Sequence, residues 1–300
     1  MTHSAISLGV GLGGGRSATS SGRLPSGGGG VFSNTLSGAF DGTDDYLNPS
    51  DTFSTLFGGT FGISVWYKTP SSFTGVDGMI ISNFFASNTG NVELRITGTS
   101  SSAAKVSLWH STAITLSPPY NAYGKETGDT ALSTNTWYHL CWATDRPVSG
   151  TTSSKLYING SEATISVGAY GQGTLDNAST FTTNSFILFG SRNGALNGAG
   201  TTTHALPGNL DELAFFNSAL SASDVTNIYN SPAKVPNDLG PAGLNLSPVG
   251  WWRMGDGTGD TNSGGGTPAS GDTIGTVVDQ GSGSNNASTG GAPTYSSTVP

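Results

Sequence analysis

Short stretches in which hydrophobic and polar residues alternate run through the middle of the chain, and this period of two predicts β-strands. Residues 61–68 (FGISVWYK) show it most clearly, since Phe61, Ile63 and Val65 share one face and polar or aromatic residues occupy the other. We predict further strands at residues 38–40, 78–84, 92–97, 105–110, 137–143, 155–158, 186–189 and 210–216.

The last of these strands alternates in the same way. Strict alternation places Asp211, Leu213 and Phe215 on one face of the strand. The opposite face then carries Leu210, Glu212, Ala214 and Phe216. Two layers of such strands, each with one apolar face, are typical of a β-sandwich.

One short helix follows this strand. Ser221 is a favourable N-cap residue, and Asp224 lies three residues later in the first turn, where negative charge is stabilising. Pro232 ends the helical segment, because the residue before a proline avoids helical conformation. No other segment predicts a helix, so we expect an all-β fold with one short helix.

Composition supports this fold class and argues against nucleic-acid binding and membrane insertion. Only 10% of the 300 residues are charged and 46 are glycine, as expected for many short strands joined by turns. The net charge is −8 and Lys and Arg form no cluster, which argues against nucleic-acid binding. No apolar run approaches the ~20 residues of a membrane-spanning helix, so we expect no membrane insertion.

The chain divides into three parts by composition. Residues 1–33 form a Gly- and Ser-rich arm, residues 34–231 the sandwich, and residues 232–300 a proline-containing linker and a tail. The tail contains Trp251 and Trp252, which require burial. Either it folds back onto the sandwich or it begins a second, truncated unit. We expect the first, because too few residues follow for another core.

Four segments, in order, resemble one known family. They are AFDGTDDYL (residues 39–47), FGISVWYK (61–68), WYHL with KLYING (137–140 and 155–160) and GNLDELAFFNSALS (208–221). Together they resemble laminin-G-like, concanavalin-A-like jelly-roll domains. The resemblance implies a jelly-roll β-sandwich, a fold that hosts lectins, glycosidases, adhesion modules and virion proteins.

The ends of the chain carry a further resemblance. The LGVGLGGG run (residues 8–15) and the GWWRMGD segment (250–256) are similar to sequences of bacteriophage proteins with this domain. The resemblance implies a surface-exposed virion protein, a capsid decoration or a tail appendage, made in the host cytoplasm and present as a homo-oligomer or in many copies. Its arm would bind other virion proteins, and its sandwich would adhere weakly to host glycans. The alternatives are a dedicated carbohydrate-binding receptor protein and a polysaccharide hydrolase.

Clustered carboxylates are the candidate metal ligands. Asp41, Asp44 and Asp45 lie in one loop and suit Ca²⁺, which prefers oxygen ligands. Family members often hold Ca²⁺ near this loop, and Asp211 and Asp279 could approach it if the tail folds back. The alternative is a turn at Gly42 with solvated acids around it.

We predict no catalytic site. Retaining glycosidases use two carboxylates about 5 Å apart, and Asp211 and Glu212, as neighbours on a strand, should point to opposite faces. The four histidines form no zinc motif.

Three tyrosines in predicted loops are the candidate glycan contacts. Tyr120, Tyr123 and Tyr170 could stack on sugar rings. The alternative is that they pack their loops onto the sheet.

Overall fold

The structure is a computed structural model of the whole chain. It describes residues 32–83, 91–111, 122–127, 130–145, 153–172, 186–193 and 202–300. The N-terminal arm therefore lies outside the described residues, apart from its last two positions.

Short β-strands dominate these residues. The strands are β1 (Ser37–Asp41), β2 (Tyr46–Asn48), β3 (Phe61–Lys68), β4 (Asp77–Ser82), β5 (Asn91–Ser100), β6 (Ala103–Ser111), β7 (Ala122–Thr127), β8 (Leu132–Ser133), β9 (Trp137–Asp145), β10 (Ser153–Ile158), β11 (Ser161–Ala163), β12 (Ile165–Gln172), β13 (Leu188–Phe189), β14 (Arg192–Asn193), β15 (Thr202–Thr203), β16 (Pro207–Phe216), β17 (Gly250–Trp252), β18 (Thr261–Asn262), β19 (Ile274–Val277), β20 (Ala287–Gly290) and β21 (Thr294–Ser296). The helices are α1 (Ser54–Phe57) and α2 (Ala222–Ile228).

Two antiparallel sheets form the sandwich. In the described residues, sheet A runs β11-β10-β9-β3-β16-β1-β21, with β17 also paired to β16. Sheet B runs β12-β7-β6-β5-β4-β13-β2-β20-β19-β18, with β8 paired to β6. The predicted all-β sandwich is confirmed. The structure adds the single turn α1, which the sequence analysis did not predict.

Alternation along the central strands produces the core between the sheets. Sheet A contributes buried residues such as Ile63 and Trp142, and sheet B contributes Leu94, Val106 and Ile274. On β5, Leu94 therefore faces inward, so its neighbours on either side project from the outer face of sheet B.

A β-bulge in β16 breaks the predicted alternation. Asp211 pairs with Trp66, but Ala214 pairs with Ser64, so β16 contains one residue more than β3 over this stretch. Leu210 consequently packs in the core between the sheets together with Leu213 and Phe215. The prediction that Leu210 shares a face with Ala214 and Phe216 was wrong, because strict alternation assumes that no residue is inserted.

The outer face of sheet A is covered by α2 and by the proline-containing segment. Val225 and Ile228 of α2 pack with Cys141, Ala214 and Phe216 in a second apolar cluster, which also includes Leu239 and Trp251. Ser221 caps α2: its side chain accepts a hydrogen bond from the Asp224 backbone, and the Asp224 carboxylate accepts one from the Ser221 backbone. The predicted N-cap is confirmed as a capping box.

The C-terminal tail adds strands to both sheets. In sheet A, β17 pairs with β16 and β21 pairs with β1; in sheet B, β20 pairs with β2. Trp252 is fully buried against the rings of Phe53, Phe189 and Phe215. The described residues from Phe32 onward thus belong to one compact unit. Neither described helix combines the length and apolarity that crossing a membrane requires.

Candidate functional site

The acidic loop between β1 and β2 brings three predicted ligands together. Oxygen atoms of Asp41, Asp44 and Asp45 all lie within 4.8 Å of one another. Gly42 makes the turn with a φ of +79°, and a Cβ there would lie 3.0 Å from the Cβ of Pro207. A side chain at position 42 would therefore be both strained and crowded, which explains glycine in this loop.

Asp45 holds the loop in place through hydrogen bonds to the backbone. Its Oδ2 accepts a hydrogen bond from the Asp41 backbone at 2.9 Å, and its Oδ1 accepts one from the Ala292 backbone at 2.7 Å. Burial raises the pKa of Asp45, while these two backbone donors lower it. Asp41 and Asp44 are exposed. The donor set of three carboxylates fits a hard cation such as Ca²⁺.

The structure does not bring Asp211 and Asp279 to this loop. Asp41 pairs with Pro207, and Asp211 lies four residues further along β16, about 14 Å away at ~3.4 Å per residue. Asp279 is occupied elsewhere: its Oδ1 accepts hydrogen bonds from the Trp251 and Gly281 backbones, each at 2.8 Å. Of the five predicted ligands, the structure brings together three, which are Asp41, Asp44 and Asp45.

A polar cleft lies next to the acidic loop and encloses about 530 Å³. The end of β1, the β3–β4 connection and the segment before β16 form its walls. Its lining residues are Asp41, Gly42, Thr43, Ser72, Thr74, Gly75, Val76, Asp77, His204, Ala205 and Pro207. Hydroxyl, carboxylate and imidazole groups therefore converge on one concave surface.

Asp77 and His204 form the ionisable wall of the cleft. Arg95 donates two hydrogen bonds to Asp77, one from Nε and one from Nη2, and so fixes the orientation of that carboxylate. The His204 Nε2 atom lies 3.4 Å from Asp77 Oδ2. Burial lowers the pKa of His204 more than Asp77 raises it, so the imidazole is neutral at pH 7.

A second ion pair continues this network over the outer face of sheet B. Arg192 Nε lies 3.6 Å from Glu93 Oε1, and the Ser82 hydroxyl donates to the same oxygen at 3.1 Å. Burial raises the pKa of Glu93, and Arg192 opposes that shift. These contacts connect β4, β5 and β14 beside the cleft.

A further cavity of about 510 Å³ lies between α1 and the tail. Phe53, Leu56 and Val249 supply apolar lining, and Asn217 and Asn285 lie at its polar side. It contains none of the predicted site residues.

Sheet A contains a serine–histidine contact that the sequence analysis missed. The Ser64 hydroxyl lies 2.9 Å from His139 Nε2, as in a nucleophile–base pair. However, Ser64 is 1% exposed and His139 is fully buried, beneath Tyr229. The pair is inaccessible to a substrate and belongs to the packing under α2.

The tyrosine predictions lie outside the described side chains. Tyr120 is not in the described residues, and Tyr123 and Tyr170 are described only as backbone positions in β7 and β12. Their role stays a prediction. Conversely, Asp77 and His204 were not predicted, because they are 127 positions apart and no motif links them.

Comparison with known proteins identifies the family to which this fold belongs. The sequence profile described as the concanavalin A-like lectin/glucanases superfamily, of the laminin G type, matches residues 41–226. No curated protein matches the chain. A similar solved structure is that of a candidate carbohydrate-binding protein from Bacteroides ovatus, with 18% identity and a TM-score of 0.52 over 88% of this chain. This chain spans 60% of the length of that protein.

Two smaller domains are also similar. The CBM40 of a Ruminococcus gnavus IT-sialidase, bound to α2,3-sialyllactose, has 14% identity and a TM-score of 0.46, covering 64% of this chain and 95% of its own. A heptameric SAP-like pentraxin from Limulus polyphemus has 16% identity and a TM-score of 0.41, covering 65% and 82%. Since the family profile covers well over half of the residues, the chain belongs to the concanavalin A-like lectin/glucanase superfamily.

Proposed function

We propose that this protein binds carbohydrate without cleaving it, and that the acidic loop and the polar cleft form the binding site. The observation that carries the proposal is the convergence of Asp41, Asp77 and His204 on one cleft of about 530 Å³. A cleft of this size accommodates a small ligand, and a few convergent polar groups provide orientation. The family and the B. ovatus neighbour, itself described as a candidate carbohydrate-binding protein, support the same class of function.

The chemistry of the cleft favours uncharged sugars. Its acidic groups are Asp41 and Asp77, its imidazole is neutral, and Arg95 is engaged with Asp77. An anionic sugar would meet carboxylates without a free cation among the described lining residues. Neutral sugars instead offer hydroxyl groups that donate to carboxylates and accept from Thr43 and Thr74.

We further propose that Asp41, Asp44 and Asp45 hold Ca²⁺ beside this cleft. A bound Ca²⁺ would supply coordination positions for sugar hydroxyl groups. Asp45 positions the loop through its two backbone hydrogen bonds, so the exposed Asp41 and Asp44 remain available to the cation.

The proposed setting is the surface of a bacteriophage virion, as a capsid decoration or tail appendage. Its support is the sequence resemblance of residues 8–15 and 250–256. We assign attachment to other virion proteins to the Gly- and Ser-rich arm, residues 1–33, which precedes the sandwich in the sequence. Repetition of the domain would convert weak sugar contacts into avidity.

A dedicated carbohydrate-binding receptor protein is the second candidate, and a polysaccharide hydrolase the third. The buried positions of Asp211 and Glu212 speak against hydrolysis by that pair, because neither carboxylate lines the cleft. A reducing-sugar assay with the full chain should show no turnover. Turnover that disappears in Asp77→Asn would contradict the binding role.

Glycan-array binding tests the site directly. Asp77→Asn combined with His204→Ala should reduce binding at least tenfold, and chelation of Ca²⁺ should weaken it as well. Lys155→Ala, an exposed change on β10 in sheet A, is the matched control and should bind as the unaltered protein does. Undiminished binding by the cleft variant would place the sugar site elsewhere.

The virion setting has its own test. Deletion of residues 1–30 should leave a folded domain that binds sugar normally but no longer incorporates into particles. Normal incorporation of this truncated protein would contradict the proposed role of the arm.

A further inference from the structure

The cavity between α1 and the tail, called the α1 cavity below, lies far from the polar cleft. It encloses about 510 Å³. Pro207, at the start of β16, lines the cleft, and Asn217, just after the end of β16, lines the α1 cavity. An extended strand of this length spans roughly 30 Å at ~3.3 Å per residue. A ligand in the α1 cavity is therefore separate from the proposed sugar site.

Part of the lining of the α1 cavity is apolar. Phe53, Leu56 and Val249 line it, and all three pack in or against the core between the sheets. Since the core holds these side chains in place, the apolar surface is formed before any ligand arrives. A volume of this size lies within the range of roughly 300–1,000 Å³ that is usual for small-molecule sites.

An exposed aromatic residue lies close to the same cavity. Phe186 is 49% exposed. The next residue, Ile187, donates its backbone N–H to the carbonyl of Asp51 at 3.0 Å, and Asp51 lines the cavity. Apolar surface is therefore present both within the cavity and beside it, as is typical of ligand-binding grooves.

Gly59 leaves space at the wall of the α1 cavity. The backbone does not require glycine there, because its φ lies outside the left-handed region and an added Cβ would come no closer than 3.8 Å to the atoms around it. A side chain at position 59 would be unstrained and would occupy space that now belongs to the cavity.

Asp51 is the one ionisable side chain among the described lining residues. Its Oδ1 accepts a hydrogen bond from the Phe53 backbone at 2.7 Å, and no described residue binds its Oδ2. A second carboxylate lies close by, since the hydroxyl of the lining residue Thr60 donates to Asp145 Oδ1 at 3.4 Å. The described lining contains no Lys, Arg or His. The α1 cavity therefore combines apolar surface with unpaired negative charge.

Two carboxamide groups complete the polar lining. Asn217 and Asn285 both line the cavity, and neither side-chain amide hydrogen-bonds to another described residue. The backbone of Asn285 is fixed, because its N–H donates to Asp279 and its carbonyl accepts from the Trp252 indole. Each carboxamide oxygen can accept a hydrogen bond from a ligand.

We propose that the α1 cavity is a second ligand site, which binds a small organic amine with an apolar body and one ammonium group. The body packs on Phe53, Leu56 and Val249, where the burial of apolar surface is favourable. The ammonium group donates to Asp51 Oδ2 and to a carboxamide oxygen. A sugar is disfavoured, because its hydroxyl groups would be buried against apolar side chains without partners. An anionic ligand is repelled by Asp51.

Three probes of similar size and different charge test this assignment. They are 2-phenylethylammonium, the neutral 2-phenylethanol and the anion 3-phenylpropionate, titrated into the full chain and followed by heteronuclear NMR. The ammonium probe should bind about fivefold to tenfold more tightly than the alcohol, and the anion most weakly. Amide signals of Phe53 and Asn217 should shift. Equal affinities of the ammonium probe and the alcohol, or no shift at these residues, would overturn the proposal.

Asp51→Asn isolates the contribution of the charge. The substitution keeps an oxygen that can accept from the Phe53 backbone, so the loop is preserved, and it removes the negative charge. The ammonium probe should then bind no more tightly than the alcohol, whose own affinity should be unchanged. Glu162→Gln, at an exposed position of β11, is the matched control because it changes the net charge equally. Equal weakening in the two variants would assign the attraction to the net charge of the protein and overturn the proposal.

Gly59→Leu tests the position of the ligand. By filling the cavity wall, it should weaken the ammonium probe and the alcohol at least tenfold while the melting temperature stays nearly unchanged. Unchanged affinities in this variant would overturn the assignment to the α1 cavity. Glycan binding at the polar cleft should be unaffected by Asp51→Asn and Gly59→Leu, so failure of the sugar proposal and failure of this one are distinguishable.

Discussion

The Trp251 indole N–H donates a hydrogen bond to Oε2 of Glu212 at 2.6 Å and links two residues 39 positions apart. This bond joins the tail to the last strand of the family domain. Arg253 completes the link from the other side of the same carboxylate. The contact between the Glu212 carboxylate and the tail residues Trp251 and Arg253 is therefore buried within the domain and does not lie on its surface.

Loss of Arg253 should destabilise the fold strongly. Arg253→Ala leaves Glu212 buried without its cation, and breaking a buried pair in this way costs about 3–5 kcal/mol. Urea unfolding at pH 7 measures the change in free energy. The control is Lys155→Ala, whose exposed pair with Glu162 should contribute almost nothing. Equal effects of the two changes would contradict the buried role of Arg253.

Acid should destabilise the protein through His139. Complete burial lowers the pKa of His139 to about 3, so the folded protein keeps this imidazole neutral while the unfolded chain protonates it near pH 6.5. Stability is therefore lost as the pH falls below about 6.5, by up to about 1.4 kcal/mol per pH unit. Unfolding measurements from pH 7 to 4 should show a shallower loss in His139→Gln. An unchanged slope would mean that another group controls acid unfolding.

Gly208 should tolerate no side chain. Its φ is +124°, and a Cβ there would lie 2.2 Å from the Lys68 carbonyl oxygen, inside the β16–β3 ladder. Gly208→Ala should cost at least about 2 kcal/mol, from strain together with the clash. Gly271→Ala separates the two causes, because its φ is +92° but nothing lies within 4 Å of the added atom. The melting temperature of Gly208→Ala should therefore lie well below that of Gly271→Ala.

Two substitutions in the acidic loop should affect stability and metal binding differently. Asp45→Ala removes the acceptor of two backbone N–H groups and should cost about 1–3 kcal/mol in the absence of metal. Asp44→Ala, at an exposed position in the same loop, should leave metal-free stability nearly unchanged. Both variants should lose terbium luminescence if the loop binds Ca²⁺. Retention of the signal in Asp44→Ala would exclude Asp44 as a ligand.

The sequence predicted the features that depend on neighbouring residues. The boundaries of β3 match the predicted strand at residues 61–68, because its period of two continues without interruption. The N-cap at Ser221 was also predictable, since the capping bonds span only three residues. Two neighbouring carboxylates of the candidate site, Asp41 and Asp44, were identified for the same reason.

The bulge and the cleft were not predictable in this way. Whether Leu210 faces inward depends on how β16 pairs with β3, and that register involves residues more than 140 positions apart. Asp77 and His204 meet because the β3–β4 connection and the start of β16 lie at the same end of the sandwich.

The sequence by itself determined β3, the capped helix and the acidic loop, because hydrophobic period, capping and turn formation act within a few residues. Only the tertiary structure decided which carboxylates are exposed and which are buried. Asp41 remains at the surface, Asp45 supports its loop, and Asp211 is buried and accepts a hydrogen bond from the Asn34 amide. The physical reason is that burial and ionisation of a carboxyl group depend on the side chains brought against it from distant parts of the chain.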